Sequence, residues 1–187
     1  MFFNNVLVDT LNHHHHVEDD FMFPKFERML NKPSAMEENV EGHEKFLPAF
    51  ELFARYVKET LAKPSEYDGI VFRQLIENFA VDLCHHLQDE IPTIRDLCVL
   101  DSKELMKVWK EAHRLATKDT VLWVDGPFIL GCQDKEFRID GTATEFPAVP
   151  WVLERVVEKW VGRRHAGAWR FCPSDLAGRR RLLEVNL

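Results

Sequence analysis

Three segments of this chain carry apolar residues at helical spacing, and a histidine interrupts each stripe near its middle. In the first, Leu7, Leu11, His14, Glu18 and Phe21 recur at steps of four and three. In the second, Met36, Val40, His43, Leu47, Phe50, Ala54 and Val57 keep the same rhythm. In the third, Phe72, Leu75, Phe79, Leu83, His86, Glu90, Ile94 and Leu97 follow a near-helical period. Such a period puts each series on one face of an amphipathic helix. Three such faces bury themselves best against one another, which predicts an all-α helical bundle. Asn31-Lys32-Pro33 ends the first helix and Lys63-Pro64-Ser65 the second. Ser34 with Glu37 predicts a capping box at the start of the second. Asp101-Ser102 opens a fourth helix carrying Leu105, Val108, Trp109, Ala112 and Ala116.

The interruptions point to chemistry. A carboxylate buried without a partner costs several kcal/mol, and a glutamate is rarely buried unpaired. A metal cation supplies such a partner. His14–Glu18 and His86–Glu90 are pairs four residues apart, so both members of each pair can reach one ion. Mixed imidazole and carboxylate donors suit iron, manganese or zinc. The candidate ligands are therefore His14, Glu18, His43, His86 and Glu90. Alone, His43 also reads as a hydrogen-bonded core histidine, and His86–Glu90 as a surface pair.

The run His13–His16 resembles a purification tag in composition only, because tags are longer, terminal and followed by a linker. Adjacent helix positions differ by about 100°, so the four cannot all face inward. The stripe through Leu7, Leu11 and Phe21 selects His14–Glu18 and leaves His15 at its edge.

After residue 120 the texture changes. Residues 1–120 read as the bundle and 121–187 as a loop-rich extension with one helix. Gly126-Pro127, Gly131, Asp140-Gly141 and Pro147 punctuate short apolar pieces, which predicts loops or one small hairpin. A last helix is expected over 147–162, with Trp151 or Val152, Val156 and Trp160 on one side. Trp169 and Phe171 are expected anchors, and Arg179-Arg180-Arg181 reads as an exposed tail.

The remaining composition narrows the classes. A formal charge of −7 over 187 residues argues against nucleic acid or an anionic membrane as partner. No apolar run approaches the roughly 18 residues of a membrane span, and no leader peptide is visible. Four cysteines without a CxxC favour reduced thiols in a cytoplasmic compartment over disulfides or zinc. Nucleotide-binding and serine-hydrolase motifs are absent from the sequence.

The segments "HHHHVEDDFMFP" (13–24), "EGHEKFLPAFELF" (41–53) and "CHHLQDEIPTI" (84–94) resemble the hemerythrin-like, HHE cation-binding family. The resemblance covers about residues 1–98. It implies an up-down helical bundle around a non-haem iron centre that binds oxygen, senses redox state or handles iron. Position by position it implies His14 and Glu18, then His43, then His86 with Glu90. His85 replaces His86 if the spacing is five, and His15 is the alternative in the first motif. The family pattern has HxxxH where this chain has His43 and Leu47, and it places a further histidine-bearing helix ahead of the segment that holds Met1. The implied occupant is one iron ion or two. Dioxygen is the implied small-molecule partner, and carrier or sensor is expected over enzyme. The alternatives are an iron oxidase or peroxidase at the same centre, and a bundle that has lost its metal. Helix 102–119, with Trp109 buried, is expected to close the groove left by the absent helix.

Overall fold

The computed structural model describes residues 1–139, 141–143 and 149–181. They form two compact units, one of them spanning Phe3–Lys118 and the other beginning at Asp119. The first unit is helical throughout. Helix α1 (Phe2–Val17) runs into one π-helical turn (Glu18–Met22) and continues as α2 (Phe23–Leu30), whose first turn accepts Pro24. Asn31 ends α2 in the left-handed conformation (φ 51°), which Asn tolerates better than most residues.

Helix α3 (Glu37–Ala62) begins without a capping box. Ser34 is left-handed (φ 62°), and its side chain caps nothing. Instead the carboxylate of Glu27 accepts from the Met36 amide at 3.2 Å. Helix α4 (Gly69–Asp96) follows a short link, which makes it the antiparallel neighbour of α3. The Tyr56 hydroxyl fastens that link. It accepts from the Asp68 amide at 2.7 Å and donates to the Asp68 carbonyl at 2.9 Å. Asp68 in turn caps α4 through the Ile70 and Val71 amides.

One core joins Val8 of α1, Phe46, Phe50, Phe53 and Val57 of α3, and Phe79 and Leu83 of α4. Phe79 lies 5.1 Å from Phe50 and 5.2 Å from Phe53 between ring centroids, in tilted and edge-on contacts that add to the area they bury. A second core joins Phe23, Phe26, Met36, Leu97 and Val108.

Helix α5 (Ser102–Thr117) is capped as expected by Asp101, which accepts from the Lys103 and Glu104 amides at 3.0 Å. Its buried face differs from the expected one. Val108 and Ala112 are buried, whereas Trp109 is 49% exposed. Leu105, Val108 and Ala112 (i, i+3, i+7) supply a complete helical stripe, and Trp109 stands about 100° away from Val108.

In the second unit, "FILGC" is helical. Helix α6 spans Asp125–Cys132 and takes Gly126-Pro127 in its first turn, where proline forfeits no helical hydrogen bond. A two-residue hairpin follows, β1 (Arg138–Ile139) with β2 (Thr142–Ala143), turning at Gly141 with φ 80°. Helix α7 (Trp151–Lys159) buries Val157 and leaves Trp151 and Trp160 74% and 79% exposed. Trp169, on the short helix α8 (Ala166–Trp169), is buried as an anchor; Phe171 is exposed. The three arginines are tied down. Arg179 bonds Asp175, Arg180 bonds Asp134, and Arg181 donates to the Trp169 carbonyl. Among the described residues no helix is long and apolar enough to cross a membrane.

Candidate metal centre

The centre lies where α1, α3 and α4 meet. His15, His43 and His86 are 3%, 1% and 4% exposed, and each offers a ring nitrogen within 4.8 Å of the others. Their ring centroids stand 4.5 Å (His15–His43), 4.4 Å (His43–His86) and 5.8 Å (His15–His86) apart. Glu18, equally buried, closes the set: one oxygen lies 3.1 Å from His14 Nε2 and the other 3.6 Å from His43 Nε2. His14, His15 and Glu18 form an overlapping group of donors. Glu90 stands near enough to Glu18 for its carboxyl to help raise that of Glu18.

The placement differs in part from the sequence reading. Glu18, His43 and His86 converge. His15 is the buried member of the histidine run, while the His14 side chain is 44% exposed and stands at the edge of the group, beside Glu18 and His15. The buried face of α1 runs Val8, Leu11, His15, Glu18, one residue round from the stripe through Leu7 and His14. His85 is exposed and away from the centre. His16 pairs with Asp20 on the outer surface at 2.9 Å. Leu47 is half-buried and lines an open cleft of about 500 Å³ beside His13, His15 and Asp19. The π-helical turn adds a residue to the helical repeat just at Glu18, a distortion often found at functional sites.

Three contributors escape a periodicity argument. Asp19 accepts from His43 Nδ1 at 2.9 Å, which leaves the Nε2 lone pair of His43 directed at the centre. Asp19 stands four residues after His15, so the sequence pairs it with the wrong histidine. Phe46 forms the floor, 5.0 Å from His15 and 5.6 Å from His86. Gly42 lies directly beneath His86: a Cβ there would stand 2.6 Å from His86 Nδ1.

Burial controls the charges. It pulls His15 down to about 3 and His86 to about 4, with His43 as the next influence on each. It also lowers His14, again with His43 second. Burial pushes Glu18 up to about 9, and the neighbouring Glu90 carboxyl adds to the rise. Glu90 is raised by its own burial. The imidazoles of His15 and His86 are therefore neutral near pH 7, with lone pairs available to a cation.

A metal ion fits what these residues lack. His15 Nδ1 and Nε2, His43 Nε2, His86 Nε2 and Glu18 Oε2 are all buried without a hydrogen-bond partner. Buried polar atoms are nearly always satisfied, so a concentration of orphans at one point marks a place for a ligand. Every one of these atoms belongs to a group that ligates metals.

The hemerythrin HHE cation binding domain profile matches residues 2–93, the stretch that supplies every one of these side chains. The chain belongs to the hemerythrin HHE cation-binding domain family. It is 34% identical over 187 residues to the dimeric xanthone biosynthesis cluster protein R11 of Cryptosporiopsis sp. (strain 8999), covering 98% of this chain and 68% of that one. No solved structure matches it.

Proposed function

We propose that this chain holds one non-haem iron ion between His15, His43, His86 and Glu18, with His14 and Glu90 flanking Glu18, and that it binds or senses iron, oxygen or redox state. The observation that carries this reading is the set of orphaned donor atoms at the centre of the bundle. Nitrogen-rich donors with one or two carboxylates suit ferrous iron, with zinc and manganese as competitors. Bound there, iron supplies one-electron redox chemistry and a coordination position for a small ligand. The protein's own groups do the rest. Asp19 fixes the tautomer of His43. Phe46 and Phe23 wall the centre from water. Glu18 gives up its proton when a cation arrives.

One ion is favoured over two because Leu47 stands one helical turn after His43 and cannot ligate. Loading the untagged protein with ferrous iron under anaerobic conditions and measuring metal per chain tests the proposal. About one iron per chain is expected, lost in His43→Ala and increased in Leu47→His. No metal above background would sink it, and zinc bound in preference would remove iron while keeping the donor set.

A second reading, an iron-dependent oxidase, draws on the relative's name, which ties that protein to a biosynthetic cluster. Oxygen consumption by the iron-loaded protein with a reductant and a phenolic substrate separates the two. Unpaired thiols at all four cysteines support a cytoplasmic location as part of the proposal.

A further inference from the structure

The second unit brings together two cysteines that are forty residues apart in sequence. Cys132 is the last residue of α6 and is exposed; Cys172, three residues beyond α8, is fully buried. Their thiols stand near enough for each to alter the other's ionisation. The backbone holds them in register. The Ser174 amide donates to the Gly131 carbonyl at 2.9 Å, and the Cys172 amide to the Trp169 carbonyl at 3.1 Å. Gly131 is what permits the approach, because a Cβ there would stand 2.5 Å from Cys172 Sγ. Arg181 closes the other side. Its amide donates to the Pro173 carbonyl at 2.8 Å and its guanidinium to the Trp169 carbonyl at 2.9 Å. Cys84 and Cys98 are exposed on the first unit and lack such a partner thiol.

We propose that Cys132 and Cys172 form a reversible disulfide when the protein meets a peroxide, cross-linking the end of α6 to the segment after α8. The inference is independent of the metal centre. The exposed Cys132 sulfur attacks one peroxide oxygen, the O–O bond breaks, and Cys132 becomes a sulfenic acid as the first water leaves. The Cys172 sulfur then attacks the sulfenic sulfur, the S–S bond forms, the S–O bond breaks, and the second water carries off the remaining thiol proton. Two thiols and one hydrogen peroxide thus give one disulfide and two waters. The neighbouring Cys132 and the charge of Arg181 hold Cys172 below its ordinary range against its burial, whereas Cys172 and burial push the Cys132 thiol up, so the step at Cys132 is the slow one and the thiolate needed for the second step is favoured at Cys172.

The test treats the metal-free full chain with stoichiometric hydrogen peroxide and reads intact mass, peptide map and free thiols. The expected result is a loss of about two mass units and two titratable thiols, with the Cys132 and Cys172 peptides linked and Cys84 and Cys98 still alkylated. Dithiothreitol restores the original mass. Cys132→Ser and Cys172→Ser each abolish the two-unit loss, and Cys84→Ser leaves it intact. If Cys172→Ser does not fold, Cys132→Ser decides alone, since its side chain is exposed. Three results would overturn the proposal: sulfinic acid at Cys132 with Cys172 still free, cross-links through Cys84 or Cys98, or a peptide map without the Cys132–Cys172 link.

Discussion

Gly42→Ala is the sharpest probe of the centre, because it adds one methyl group and removes no donor atom. The new Cβ would stand 2.6 Å from His86 Nδ1, whereas ordinary contact begins at 3.4 Å, so the ring must retreat by 3.4 − 2.6 = 0.8 Å. Neither the floor nor the neighbours leave room for that without rotation: Phe46 is fully buried, and His15 and His43 face the same ring. Two effects on stability oppose each other. Overpacking costs about 1–3 kcal/mol. Replacing glycine by alanine within a helix returns about 1 kcal/mol. The metal-free protein should therefore lose no more than about 2 kcal/mol, while the loaded protein also loses ligand geometry. Displacing an oriented ligand weakens metal binding by about 10–100-fold. That corresponds to roughly 1.4–2.8 kcal/mol. Ferrous or cobaltous titration followed by calorimetry, beside thermal melts of both forms, measures the two effects separately. Metal affinity equal to that of the unaltered protein, in a variant that folds, would refute the placement of His86 among the ligands.

Further outcomes follow from the same geometry. His15→Ala should weaken metal binding at least about tenfold more than His14→Ala, because only His15 is enclosed with His43 and His86; metal titration of the two variants decides it. Phe46→Ala should cost about 3–5 kcal/mol by denaturant melt, since the ring is fully buried against His15, His86 and Phe50. Trp109→Ala should stay within about 1 kcal/mol of the unaltered protein in the same melt, because half the residue is in water. In the metal-free protein, His15 and His86 sit below their unfolded value, so their contribution is present above about pH 6.5 and is lost as pH falls. Glu18 sits above its unfolded value, so its contribution is present at low pH and is lost as pH rises toward 9. The melting temperature should therefore peak near neutrality, and a steady rise from about pH 6.5 to 9 would contradict the burial of a protonated Glu18.

The sequence by itself determined the helical segments of the first unit, though not the π-helical turn that divides the first of them, and the height at which histidines interrupt them, because a 3.6-residue period and breakers such as Asn31 and Pro64 are local properties. It did not determine rotation. A helix turns about 100° per residue, so neighbouring positions offer rival stripes of similar apolar content. That single ambiguity separates His14 from His15, Leu47 from Phe46, and Trp109 from Val108. In each pair the residue now buried is fixed by what the facing helices present: a histidine cluster for His15, Phe50 and the imidazoles for Phe46, and Phe23 with Met36 for Val108. Contacts between distant residues were equally out of reach. Asp19 reaching His43, the Gly42 backbone beneath His86, and Cys132 beside Cys172 depend on how separate helices dock. Docking is settled by the packing of whole faces rather than by any spacing along the chain.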